Sequence, residues 1–266
     1  MFDYHIHSDF SADCETPMEK TIEQGIEKGL KEICFTEHID YDYPDESIVF
    51  EFDLGEYDRS IKKMEEKYQD RIVIKKGVEI GVQPHLLGRY EELLDQEAFD
   101  FVICSMHTTE HKDLHSGDFF QGKTVEQAYD VYYKELLDCV KRFKRFNILG
   151  HVDLVKRYTE VNSKRDHHDI IREVFKEIIP AGKGIELNTS GFRYGLGAGM
   201  PSKDILKLYR ELGGEILTLG SDSHTETTVG YKFKESLELF EELGFKYITT
   251  FKEGEPVFHS IQSLSR

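Results

Sequence analysis

Seven short apolar runs alternate along this chain with longer segments of helical period, a pattern that calls for βα units and excludes a β-sandwich. The spacing predicts strands over 2–6, 32–36, 72–80, 99–105, 148–150, 184–188 and 215–220. Helices are expected over 18–29, 54–68, 85–94, 124–143, 166–179 and 202–212. The run IVIKKGVEI at 72–80 is the longest apolar strand candidate. Thr16-Pro17 and Pro201-Ser202 read as helix entries, and Gly29, Gly182 and Gly213-Gly214 as helix ends. No linker rich in Ser, Gly or Pro divides the 266 residues, so residues 1–266 are expected to form one domain. A single parallel barrel follows, with functional residues just past the C-terminal ends of its strands.

Composition narrows the function. The 34 Lys and Arg against 51 Asp and Glu give a net charge of −17, which argues against a groove that tracks nucleic acid. The N-terminus has no basic segment followed by an apolar one. No uncharged run approaches the roughly 18 residues that span a bilayer, so a cytoplasmic protein with no membrane partner is expected. Cys14, Cys34, Cys104 and Cys139 lie far apart without CxxC spacing, and four free thiols are expected, with Cys34 and Cys104 acting as small buried hydrophobes. The segment 234–245 has an apolar face that packs most simply on the barrel, consistent with a monomer.

The predicted strand ends carry His5 and His7, Glu37-His38, Glu79, His107, His151, Asn188 and Asp222-Ser223-His224. Six of the 12 histidines therefore converge on one rim. In His5-x-His7 the two imidazoles share one face of a strand, because side chains alternate with period two, and such a pair chelates one ion. Asp222-x-His224 repeats the spacing with a carboxylate, and Glu79 ends an apolar strand where an unpaired carboxylate is costly to bury. Nitrogen and carboxylate donors without thiolates suit Zn, Mn or Fe. Their number exceeds what one ion needs, so two or three divalent metal ions are implied. Such a centre activates water and holds phosphate oxygens for in-line attack, and hydrolysis is the expected chemistry.

DYHIHSDFSAD at 3–13, FTEHID at 35–40, GVEIGV at 77–82, SMH at 105–107, GHVDLVKRY at 150–158, ELNTSGFR at 186–193 and GSDSH at 220–224 together resemble the PHP (polymerase and histidinol phosphatase) family, most closely its histidinol-phosphate phosphatases. The resemblance covers nearly the whole chain in order and spacing. It implies a distorted (β/α)7 barrel of the PHP type and hydrolysis of L-histidinol phosphate to L-histidinol and phosphate in histidine biosynthesis. The alternative is a PHP-type phosphoesterase acting on nucleotides or other small phosphate monoesters. Carried over by position, it assigns His5, His7, Glu79 and Asp222 to one metal. Glu79, His107 and His151 hold a second, with Glu79 bridging, and Asp13, His38 and His224 a third. Some relatives carry histidine where Asp13 stands. Glu37, where many relatives have Asp, is expected to orient an imidazole rather than to bind metal. Arg157 and Arg193 follow motifs shared with the phosphatase subgroup and are expected to grip the phosphate. Asp222, His224 or a bound water would protonate the leaving alkoxide. For the amine and imidazole of histidinol the loop 107–123 offers Glu110, Asp113, His115, Asp118 and Phe119, whereas Asp40, Asp42, Asp45, His111, His167, His168 and His259 read as surface residues.

Overall fold

Strands whose two faces are both apolar need cover on both sides, and a closed parallel sheet ringed by helices supplies it. The computed structural model describes residues 1–159, 161 and 163–264. It contains β1 (Phe2–Ile6), β2 (Glu32–Ile39), β3 (Val73–Gly81), β4 (Phe101–Ser105), a small hairpin of β5 (Thr108–Thr109) and β6 (Lys112–Asp113), then β7 (Ile148–Leu149), β8 (Gly184–Asn188) and β9 (Leu217–Gly220). Seven of these form one parallel sheet in the order β1-β2-β3-β4-β7-β8-β9. The ring closes through the residues just past β9. The Asp222 amide donates to the His5 carbonyl at 2.7 Å, and the His7 amide donates to the Ser223 carbonyl at 2.9 Å. Across the same seam the Asp3 carboxylate accepts the amides of Ser221 and Gly230, each at 2.9 Å. The result is the nearly closed seven-stranded barrel expected from the sequence.

The connecting helices are α1 (Met18–Glu27), α2 (Leu54–Tyr68), α3 (Leu87–Gln96), α4 (Val125–Arg142), α5 (His168–Ile178), α6 (Ser190–Arg193), α7 (Lys203–Glu211) and α8 (Phe233–Glu242). Their ends follow local chemistry. Asp53 caps α2 by accepting the Glu56 amide, and Thr124 with Gln127 forms a reciprocal capping box on α4. Gly29, Gly182 and Gly213 all have positive φ, as left-handed helix ends require. α5 buries Ile171, Val174, Phe175 and Ile178, one stripe of helical period. α8 turns Phe233, Leu237 and Phe240 inward, which matches the apolar face expected of 234–245. All four cysteines are buried free thiols. Among the described residues no helix is long and apolar enough to cross a membrane.

Two features depart from the expectation. β2 continues to Ile39 in unbroken register with β3, so Glu37 and His38 lie within the strand rather than after it. Polar residues usually mark a strand's end, but here Glu37 accepts from Ser8 and Ser11 in the loop after β1 and His38 faces Glu79 on β3, so both stay buried. The second departure is the antiparallel hairpin of β10 (Tyr247–Lys252) and β11 (Glu255–Ser260), followed by α9 (Ile261–Leu264), which covers the N-terminal end of the barrel. There Phe251 packs on Phe101 at a ring separation of 4.9 Å, and its amide donates to the Tyr4 hydroxyl at 2.9 Å.

Candidate functional site

All nine residues expected to bind metal meet at the C-terminal end of the barrel, and Glu79 is the centre of the group. The register that sets Glu79 on β3 beside His38 on β2 brings its carboxylate into the barrel mouth. Glu79 Oε2 lies 3.0 Å from His5 Nε2, 3.6 Å from His7 Nε2 and 3.2 Å from His38 Nδ1. Glu79 Oε1 lies 3.1 Å from His151 Nε2 and 3.3 Å from His107 Nε2, and accepts a hydrogen bond from Ser105 Oγ at 2.6 Å. Asp222 Oδ1 stands 3.8 Å from His5 Nε2 and 3.5 Å from His7 Nε2. Asp13 Oδ2 faces His224 Nε2 at 3.2 Å and His38 Nε2 at 3.7 Å. Asp222 has φ of 53°, a left-handed conformation that Asp tolerates better than most residues and that closes the barrel seam at the same time.

A divalent ion fits this donor set. Among the described residues four overlapping groups could hold one: His5, His7 and Asp222; His5, Glu79 and His151; His38, Glu79 and His107; and His7, His38 and His224. His7 Nε2 and His224 Nε2 are buried without a hydrogen bond although carboxylates lie close by, which leaves their lone pairs free for a cation.

The outer nitrogens of four imidazoles are held so that Nε2 faces inward. His107 Nδ1 pairs with Asp40 Oδ2 at 2.6 Å, and His5 Nδ1 with Glu186 Oε2 at 2.9 Å. His224 Nδ1 meets the carbonyl of Asp222 at 3.2 Å. His7 Nδ1 meets Ser11 Oγ at 3.1 Å, and the Ser11 hydroxyl donates to Glu37. Glu37 also takes the Ser8 amide and hydroxyl, at 3.0 and 2.6 Å. Glu37 therefore orients an imidazole, as expected, but through Ser11. Asp40 is a correction. It is buried in the cavity wall rather than on the surface, because two residues beyond His38 it leaves the strand on the same side. Glu186 was not singled out by the sequence reading. The signal that finds it is the same period-two rule, since Glu186 shares a face with Asn188.

Burial and charge pull in opposite directions here. Burial alone pushes His5 down, but Glu186, Glu79 and Asp222 outweigh it and raise its pKa well above the usual histidine value. Burial and the neighbouring His224 and His38 push His7 down to about 3. Burial raises Glu37 to about 7 against the hydrogen bonds from Ser11 and Ser8. Glu79 and Asp222 are both held well below the carboxylate range, the surrounding histidines overcoming the cost of burial.

A cavity of about 330 Å³ opens over the cluster. Asp13, His38, His107, His151, Asp222 and His224 form its floor, and Tyr43, Phe50, Leu154, Tyr158 and Tyr194 give it an apolar and aromatic wall. Arg157 also lines it, with its guanidinium 3.3 Å from the centre of the Tyr194 ring and Nη1 3.8 Å from Asp222 Oδ2. Arg193 is placed differently. Its two terminal nitrogens donate to the carbonyls of Ser221 and Asp222, both at 2.8 Å, so two of its five N–H groups hold the segment that carries Asp222. Of the five loop residues considered for the histidinol moiety, Asp113 and His115 line the cavity. Glu110 pairs with Lys123, Asp118 accepts from Gln121, and Phe119 is buried in the core. His167 is a second correction to the surface assignments. It is buried against Tyr129 and Tyr133, with Nε2 2.9 Å from Ser163 Oγ.

Comparison with known proteins agrees with this picture. The model of the PHP domain family matches residues 3–190. The histidinol-phosphatase of Lactococcus lactis subsp. lactis is 34% identical over 254 residues, covering 94% of this chain and 93% of that protein. The histidinol-phosphatase of Bacillus subtilis is 24% identical and covers 89% of this chain and 98% of that one. Among solved structures, the Lactococcus lactis histidinol phosphate phosphatase complexed with Zn, L-histidinol and phosphate superimposes with a TM-score of 0.88 at 32% identity, covering 96% of this chain and 98% of that one. A barrel closed by the residues after its last strand, a Glu79-centred cluster at its mouth and a family match over 3–190 lead to one conclusion: this chain belongs to the PHP domain family.

Proposed function

We propose that this protein is a metal-dependent histidinol-phosphate phosphatase, a monomeric single-domain cytoplasmic enzyme that hydrolyses L-histidinol phosphate to L-histidinol and phosphate. The observation that carries the reading is the joining of the Glu79-centred cluster to a cavity with one guanidinium and an aromatic wall. It occurs in a chain that superimposes over 96% of its length on an enzyme crystallised with Zn, L-histidinol and phosphate.

His5, His7, Glu79 and Asp222 hold one ion, Glu79, His107 and His151 a second, and Asp13, His38 and His224 a third. Divalent ions bound there supply the positive charge that activates water and offsets charge on the phosphoryl oxygens. The remaining work falls to the chain. Arg157 presents its planar fork of donors from the cavity wall, and the Tyr194 ring beneath it limits the angles the fork can take. Arg193 stands behind the cavity wall, fixes the Asp222 segment through two N–H groups, and reaches the phosphate only with its remaining donors. Asp222 Oδ2 is held by Asn188 Nδ2 at 3.3 Å and Ser190 Oγ at 3.2 Å, on the side facing Arg157. From there Asp222, its neighbour His224 or a bound water gives the proton that the leaving alkoxide needs. The ring and amine of histidinol lie against Tyr43, Phe50 and Tyr158, with Asp113 as the acidic partner of the amine.

The test is phosphate release by protein reloaded with Mn or Zn, from histidinol phosphate beside a panel of nucleoside monophosphates, with a chelated control. Chelator-sensitive release from histidinol phosphate is expected. Release mainly from nucleotides would replace the substrate assignment with the nucleotide reading, and no release from any ester would overturn the enzyme.

A further inference from the structure

Glu186 is fully buried on β8, yet it is not among the residues that face the cavity. Its carboxylate reaches two other strands. Oε2 lies 2.9 Å from His5 Nδ1 on β1, and Oε1 accepts the backbone amide of His151 at 2.8 Å, one residue past Gly150 where the short β7 has already ended. Asn188 Nδ2 adds a third contact, donating to Oε1 at 3.0 Å. The barrel makes room for this reach. A Cβ at Gly220 would stand 2.5 Å from Glu186 Oε2 and 2.4 Å from His5 Cβ, so only glycine leaves the path between β8 and β1 open. A Cβ at Gly150 would stand 2.3 Å from Ser105 Oγ, the hydroxyl that donates to Glu79.

We infer that Glu186 is a positioning residue that ties together the two halves of the metal centre, fixing His5 on one side and His151 on the other. An acceptor on His5 Nδ1 keeps the proton there and turns the Nε2 lone pair inward, and it strengthens that nitrogen as a ligand. The bond to the His151 amide fixes where that residue leaves the barrel, and so where its Nε2 meets Glu79 Oε1. One side chain thus sets the spacing of donors on both sides of Glu79. The inference rests on the metal reading of the site and is independent of the substrate.

Glu186→Gln tests it, because the amide keeps the shape but replaces one acceptor with a donor. Parent and variant are stripped of metal, titrated with Zn(II) against a chromophoric chelator, loaded with Co(II) for visible spectra, and melted in metal-free form. The expected result is Zn(II) affinity about 10- to 100-fold weaker, shifted Co(II) bands, and a metal-free melting temperature at or above the parent's. Parental affinity with an unchanged Co(II) spectrum would overturn the role. So would a variant that fails to fold without metal, since the carboxylate would then be a structural support. A parent that takes up no metal would sink the metal reading itself, whereas a parent that binds metal but spares histidinol phosphate would sink only the substrate reading.

Discussion

Arg157 and Arg193 stand close together in sequence-level expectation but do different physical work. Arg157 touches tyrosine rings and the edge of Asp222, and no backbone depends on it. Arg157→Ala is expected to lower kcat/KM for histidinol phosphate by about 10- to 100-fold, the worth of a charge-assisted hydrogen bond or two, with little change in melting temperature. Arg193→Ala removes the donors of two carbonyls in the barrel seam, so it is expected to lower both kcat/KM and the melting temperature. Steady-state kinetics beside thermal melts separate the two, and an unchanged kcat/KM in Arg157→Ala would remove that residue from phosphate binding. For Asp222 the leaving group is the probe. If its carboxylate returns the proton, Asp222→Asn at saturating metal loses less rate with nitrophenyl phosphate, whose leaving group needs no proton, than with histidinol phosphate. Equal losses would mean that Asp222 serves only the metal. The residues expected to bind metal were legible because nearly all lie in the last residues of a strand or in the turn just past it, and two pairs obey period two. Asp40 and Glu186 obey the same rule but bond to imidazoles rather than line the cluster, and nothing in a single sequence distinguishes a carboxylate that holds a histidine from one in water.

Among the elements, the regular βα alternation was legible to within a few residues at most boundaries, because apolar period and cap residues agree there. β8 and α2 fall where periodicity put them. The β10–β11 hairpin was missed because β11 is largely exposed and the buried residues of β10, Ile248 to Phe251, run consecutively without alternation, and its place depends on tertiary contacts with Tyr4 and Phe101. The closing seam was likewise invisible, since it is made after β9 by backbone that pairs with β1. That seam has a pH signature. Burial raises the Asp3 carboxyl to about 6, from an ordinary value of 3.8, against hydrogen bonds from Ser221, Gly230 and His5. The folded protein therefore binds this proton more tightly than the unfolded chain does. The Asp3 contribution is at its best below about pH 4, declines as pH rises toward 6 and is constant above that, and the loss reaches about 3 kcal/mol at 1.36 kcal/mol per unit. Denaturant unfolding of the metal-free protein between pH 4 and 8, compared with Asp3→Asn, isolates it. A stability difference between the two that stays flat over this range would show that the Asp3 carboxyl is not raised in the folded protein.

At the scale of the whole molecule, the barrel gathers charges that only a bound cation reconciles. Glu79 is fully buried at the mouth and Asp222 nearly so, Glu186 and Glu37 lie directly behind the histidines, and several ring nitrogens have no hydrogen bond. Burying these groups costs free energy that the apolar core must offset in the metal-free state. Metal binds the folded ring of donors and not the dispersed ones of the unfolded chain, so its binding free energy adds to stability. At free metal about 100-fold above its Kd the gain is about 2.7 kcal/mol per site, which for a chain of this size is a rise in melting temperature of roughly 5 to 10 °C. Chelation is expected to lower the melting temperature by that amount for each site it empties and to abolish phosphatase activity, and addition of Zn(II) or Mn(II) to restore both. The two readouts should return together along the titration, because the donors that hold the ions also place Asp222 beside Arg157. Activity restored without any thermal shift would mean that the ions bind the dispersed donors of the unfolded chain as tightly as the folded ring, because only equal binding to both states removes the gain in stability.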